Sequence, residues 1–174
     1  MRNRILPILV AALVALPTMP ALAAEPRPPA AVDTFSRAAV GGWGVADTGG
    51  PWTPENHTEA FRVGRGAASI TLSEAGTGRG IVQPEVVAAD QELVATFAFD
   101  RLPDDGNAFA YLIARHTDDA EIRLKARIDP AGQVYLQPTT VVGKGEEGIG
   151  EEVTVEGLIV APGAPFRVRA QVLG

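Results

Sequence analysis

The segment from Ala120 to Asp129 alternates without a break, and this constrains the fold more than any other stretch. Ile122, Leu124, Ala126 and Ile128 fall on one side, and Glu121, Arg123, Lys125 and Arg127 on the other. A period of two puts these sets on opposite faces of a β-strand, one apolar and one charged. Two further stretches follow the rule. Leu93, Ala95, Phe97 and Phe99 alternate with Val94, Thr96 and Ala98. Phe166, Val168, Ala170 and Val172 alternate with Arg167, Arg169 and Gln171. Residues 108 to 115 are apolar on both faces, as expected of a strand covered on both sides. Ala68 to Leu72, Val134 to Leu136 and Val153 to Val155 are shorter strand candidates.

Turn-forming residues separate these runs: Pro103-Asp104-Asp105-Gly106-Asn107, Thr117-Asp118-Asp119, Asp129-Pro130-Ala131-Gly132 and Ala161-Pro162-Gly163-Ala164-Pro165. No segment carries a helical period with caps. Short strands between regular turns predict an all-β sandwich or barrel.

The first residues read as an export signal. Arg2 and Arg4 precede an apolar run from Ile5 to Leu22, and Ala21-Leu22-Ala23 fits a small-x-small cleavage site before Ala24. Pro17 and Pro20, with no basic stop-transfer flank, argue against a membrane anchor. The organisation expected is therefore a signal peptide over 1–23, a proline-rich linker over 24–31 and one folded domain over 32–174. No membrane span is expected after cleavage, and the localisation expected is extracellular or cell-surface. The chain has no cysteine, so a secreted fold must hold by packing alone, and thiol nucleophiles and thiolate metal sites are excluded. A net charge of −6 disfavours a nucleic-acid partner.

Asp33-Thr34-Phe35 precedes Gly42-Trp43-Gly44 and then Trp52, and both tryptophans of the chain lie in this window. Strand-like segments follow in order: Glu92–Phe97, Tyr111–Arg115, Ile122–Lys125, Gly132–Leu136 and Phe166–Val172. This series resembles the concanavalin A-like lectin/glucanase (laminin G-like) jelly-roll modules of secreted actinobacterial multidomain proteins. The resemblance runs from Val32 to Gly174. It implies an antiparallel jelly-roll β-sandwich, and carbohydrate binding or cell-surface adhesion as the function. Family members usually continue for several strands past the equivalent of Val172, so it also implies a domain incomplete at its C-terminus.

Catalytic relatives on that fold carry glutamates and an aspartate alternating along one strand, the pair a retaining glycosidase needs. That string is absent, with Glu92 and Asp100 only bracketing an otherwise acid-free strand. No serine lies in Gly-x-Ser-x-Gly. His57 and His116 are the only histidines, too few for a His-rich zinc site. Gly76-Thr77-Gly78-Arg79-Gly80 lacks the Gly-Lys-Ser/Thr ending of a phosphate loop and reads as a hairpin. The chain is expected not to be an enzyme and to need no cofactor; the alternatives are a structural spacer or remnant of a longer surface protein and, less favoured, a polysaccharide hydrolase or lyase acting at Tyr111 and Arg115. Asp104-Asp105-Gly106-Asn107 offers oxygens of the kind calcium takes, but without a full ligand set it reads as an Asx-type turn. Glu146-Glu147 and Glu151-Glu152 read as a solvated acidic loop.

The candidate ligand-binding residues are Tyr111, Arg115, Arg123, Lys125 and Tyr135. On jelly-roll lectins, rings stack on sugars and arginines fix hydroxyl or carboxylate groups. The partner expected is an extracellular polysaccharide or cell-surface glycan. The competing reading is a solubilising strand face with cross-strand charge pairs. Trp43 and Trp52 face the same choice between sugar stacking and anchoring the core, and anchoring is favoured because a tryptophan usually buries its area with its N–H bonded locally.

Overall fold

The structure, a computed structural model, describes residues 28–117 and 119–173. The export signal and residues 24–27 of the linker lie outside them. Twelve strands follow in chain order: β1 (Ala39–Val40), β2 (Thr53–Pro54), β3 (Phe61–Gly64), β4 (Ala67–Ile70), β5 (Ile81–Val82), β6 (Gln91–Phe97), β7 (Ala108–Ala114), β8 (Ala120–Ile128), β9 (Gln133–Val142), β10 (Gly145–Gly148), β11 (Val153–Ile159) and β12 (Phe166–Val172). A single 3-10 turn, Thr58–Ala60, is the only helical element among the described residues. Every pairing is antiparallel. The chain is all-β, with its main sheets arranged as a β-sandwich.

The larger sheet runs β7–β8–β9, with β10 and β11 both on the far edge of β9. Its apolar face lies over a second layer made by β6 and β12, whose pairing runs from Phe166↔Phe97 to Val172↔Gln91. Leu112, Ala126, Ile128, Val134, Val160, Phe166, Val168 and Ala170 form the buried core between the layers. The alternation of β8 and β12 points these side chains inward, so burial of apolar area drives the two sheets together. Phe166 lies between Phe97 and Phe99, with ring centroids 5.9 and 6.2 Å away. In contrast to the two-sided cover expected of residues 108–115, β7 is an edge strand, and Phe109 on its outer face is 44% exposed.

β9 holds a proline in its middle, which explains its division of partners. Pro138 lies opposite Leu124 of β8, and its carbonyl accepts the Ile149 N–H at 2.9 Å. Its backbone polar edge therefore faces away from β8, into the break between β10 and β11, where the missing N–H costs no ladder bond. β11 pairs with Leu136 and Tyr135, and then bulges before Ile159 reaches Gln133. The Gln133 amide fills that bulge by donating to the Val155 carbonyl at 3.0 Å.

The N-terminal segment builds two small sheets, β1–β3–β4 and β2–β5. An aromatic cluster joins them. Trp43 lies edge-on to Trp52 (centroids 5.0 Å apart) and to Phe61 (6.1 Å), and Phe35 meets both tryptophans. Asp33 is the polar hub. Its side chain is 4% exposed and accepts a bidentate pair from Arg37 (2.7 and 2.7 Å), the Trp52 indole N–H (2.7 Å) and the Phe35 backbone N–H (2.9 Å). Arg37 spends its Nε on the Trp43 carbonyl at 2.7 Å. Burial would raise the Asp33 pKa, but the hydrogen bonds from Arg37, Phe35 and Trp52 and the Arg37 charge together hold it below the ordinary value. The Trp43 indole N–H donates to the Ser69 carbonyl. Both tryptophans are thus half-buried anchors with their donors bonded locally.

Candidate functional site

Directly opposed residues in an antiparallel sheet share a face, so the register orders the outer face of the large sheet into rows. Phe109, Arg127 and Tyr135 form one row, Tyr111, Lys125 and Gln137 the next, and Ile113, Arg123 and Thr139 the third. The structure therefore brings Tyr111, Arg123, Lys125 and Tyr135 onto one surface, as the alternation predicts.

Arg115 does not join them. It stands past the end of β7 with φ of 49°, and its guanidinium donates twice to the Ala89 carbonyl, at 2.9 and 2.6 Å. Its backbone N–H donates to Gln91 Oε1. The left-handed turn aims the side chain at the segment before β6, which it ties down.

The acidic stretches are not a detached solvated loop. Gly145–Gly148 is strand β10, and Glu146, in register with Val141, lies on the same face as the basic residues. Glu146 approaches Lys125 Nζ at 3.8 Å and the Tyr111 hydroxyl at 3.5 Å. Glu152 accepts from Arg127, with Nε to Oε2 at 3.0 Å. Glu121, 7% exposed, accepts from Arg123. Each of the three cations on this face thus has its own glutamate. The consequences for charge follow. The Arg127 hydrogen bond, reinforced by its charge, holds Glu152 below the usual carboxylate range. Burial, and then the nearby Glu146 charge, raise the Tyr111 hydroxyl.

The rings are shared out in the same way. The Arg127 guanidinium carbon sits 3.7 Å from the Tyr135 ring centroid, a close cation–π stack that occupies one ring face. Arg127 also donates to Asn107 Oδ1 at 2.9 Å, so the Asp104–Asn107 stretch is a turn with one of its oxygens spent on Arg127. Arg123 lies 5.3 Å from the Tyr111 ring, and Phe109 stacks beside Tyr111 with centroids 6.3 Å apart. Phe109 is the functional candidate that alternation misses. Its neighbours in sequence are apolar on both sides, and only the edge position of β7 exposes it.

Among the described residues, one group has the donor types to hold a metal: Glu55, His116 and Glu121, with ligand atoms within 4.8 Å of one another. His116 Nδ1 lies 2.6 Å from Glu121 Oε1, and Arg123 takes the other oxygen of Glu121. An ion there would share Glu121 with a guanidinium that already balances its charge.

Thr139, in the same row as Arg123, is 1% exposed and its hydroxyl has no partner among the described residues. An unsatisfied buried hydroxyl costs about 1–3 kcal/mol. Replacing Thr139 by valine keeps the shape and removes that polar atom. The expected result is a gain of about 1 kcal/mol, read as a higher urea midpoint at unchanged slope. A loss instead would mean that the hydroxyl holds a buried water.

The fold and face define an all-β, sandwich-like protein with an aromatic and charge-paired sheet surface. No helix among the described residues is long and apolar enough to cross a membrane. Comparison with protein-family models, with curated proteins and with solved structures returns no match.

Proposed function

We propose that this chain is a secreted, non-catalytic carbohydrate-binding or cell-surface adhesion module of the concanavalin A-like, jelly-roll kind, using the outer face of its large sheet. The observation that carries the reading is the stacked Phe109–Tyr111 pair at the edge of that face, with Phe109 44% exposed beside Lys125 and Arg127. An aromatic surface flanked by hydrogen-bonding side chains is the combination that takes a sugar ring, apolar face to ring and hydroxyls to the polar rim. Because every cation on the face is paired with a glutamate, the face suits a neutral saccharide better than an anionic one. The acid string of related glucanases is missing, which supports a binding role without turnover.

A second reading, a structural spacer within a longer surface protein, is favoured by one observation. Arg127 covers a face of Tyr135 and joins it to Glu152, so these groups already satisfy one another. A glycan array combined with affinity electrophoresis on insoluble polysaccharides separates the two. The expected result is retention on at least one neutral polysaccharide, reduced about tenfold or more in Phe109→Ala, since base- or sugar-type stacking on one ring is worth about 1–3 kcal/mol. Retention on none leaves the spacer.

A further inference from the structure

A second surface of the molecule is built for charge of the opposite kind. Glu59, Ala60, Arg62, Thr71, Ser73 and Arg79 line an open cleft of about 200 Å³ beside β3 and β4. Arg37, Arg123, Arg127 and Arg169 each hold an ion pair, with Asp33, Glu121, Glu152 and Glu92 in turn, and the exposed Arg65, Arg101 and Arg167 do not. Neither of the two arginines at this cleft holds one. Arg62 makes no side-chain hydrogen bond or ion pair among the described residues. Arg79 donates Nη1 to the neighbouring Gly78 carbonyl, while its Nε is buried with no partner. A guanidinium carries five donors and keeps its charge at any relevant pH, so a buried unpaired Nε marks a group short of acceptors.

The one carboxylate on the rim is already engaged. Glu59 Oε1 lies 3.2 Å from His57 Nδ1, and its own backbone N–H, then His57 and last the charge of Arg79 hold its pKa down, without a direct hydrogen bond to Arg79. What remains is a cleft offering two guanidinium forks and two hydroxyls. That donor set complements an oxyanion, which guanidinium forks bind in bidentate fashion. The space exceeds what an inorganic ion needs, since a water occupies about 30 Å³, and it leaves room for the ring that carries the charge.

We propose that this cleft binds the carboxylate of an acidic saccharide, a uronic acid, with Arg62 and Arg79 as charged partners and the Thr71 and Ser73 hydroxyls as further donors. The inference rests on the reading of the chain as a glycan-binding protein, and it assigns the acidic sugar to different residues from those that take the neutral one.

Calorimetric titration of the full chain with sodium glucuronate, glucose and sodium sulfate tests it. Saturable binding of glucuronate, none of glucose and weaker binding of sulfate are expected. Arg79→Gln and Arg62→Gln should each weaken glucuronate about tenfold, as the loss of one charge-assisted contact implies. Arg101→Gln, an exposed arginine away from the cleft, should leave it unchanged. Arg62 is exposed on β3, so its variant keeps the test sound if Arg79→Gln fails to fold. Unchanged affinity in Arg62→Gln overturns the assignment, and so does sulfate binding as tightly as glucuronate. Absence of glucuronate binding in a chain that is still retained on neutral polysaccharide overturns the cleft alone. Absence of both overturns the glycan reading with it.

Discussion

Replacing Asp33 by asparagine is expected to lower the unfolding free energy by about 2–3 kcal/mol near neutral pH. The carboxylate accepts four hydrogen bonds from three residues, and asparagine offers one oxygen where two are in use. Its amide would direct donors at Arg37, leaving a guanidinium that is 24% exposed without its counter-charge. Breaking a fully buried ion pair costs about 3–5 kcal/mol, and the partial exposure of Arg37 reduces that figure. The pH dependence has a definite sign. Asp33 has a lowered pKa in the folded state, so its contribution is present above the unfolded carboxylate pKa and is lost as the pH falls through the folded value. Urea unfolding of both proteins from about pH 7 to about pH 2.5 checks this, because the difference between them should shrink toward the acid end. A gap that stays constant over that range would show that Asp33 stabilises by geometry and not by charge.

Gly132→Ala is expected to cost more, about 3–5 kcal/mol, with a fall in melting temperature on the order of 10 °C. Two causes add. The residue has φ of +82°, a region where an L side chain costs about 1–2 kcal/mol. A Cβ there would also stand 2.1 Å from the Val160 carbonyl oxygen. The backbone at this point cannot easily yield. The Gly132 carbonyl accepts the Val160 N–H at 2.8 Å, and Val160 is 3% exposed in the core. Gly163→Ala is the comparison, because Gly163 has φ of +75° and open space around its missing Cβ. It should lose only the dihedral cost. Equal losses in calorimetry of the two variants would remove the steric part of the argument.

The sandwich was legible where strands are long and alternate cleanly. β6, β8 and β12 follow from the period of two, and so does the sharing of one face by Arg123 and Lys125, which Tyr111 and Tyr135 join through the register of β7 and β9 with β8. β9 was legible only as far as Leu136, because Pro138 interrupts the pattern, and only the break between β10 and β11 makes that proline harmless. β1, β2 and β5 have two residues each, too few for a period to register. Arg115 was misplaced because alternation carries no information about the left-handed turn that ends β7. The pairing of Glu146 and Glu152 with the basic row had a signal in the sequence: three cations on one strand face need nearby anions. The register that brings those glutamates across β9 is a tertiary fact. Phe109 owes its exposure to β7 lying at a sheet edge, which depends on strand order rather than strand pattern.

The division of β9 at Pro138 gives the outer face of the large sheet two latches instead of one. The strand carrying Glu146 is zipped to Thr139–Val142, and the segment carrying Glu152 leads into the strand zipped to Tyr135 and Leu136. Between them the segment 149–152 is held to β9 by the Ile149 N–H on the Pro138 carbonyl and by the Gln137 amide on the Gly150 carbonyl. Lys125 and Tyr111 therefore owe their glutamate to β10, whereas the Arg127–Tyr135 stack owes its glutamate to the segment that leads into β11.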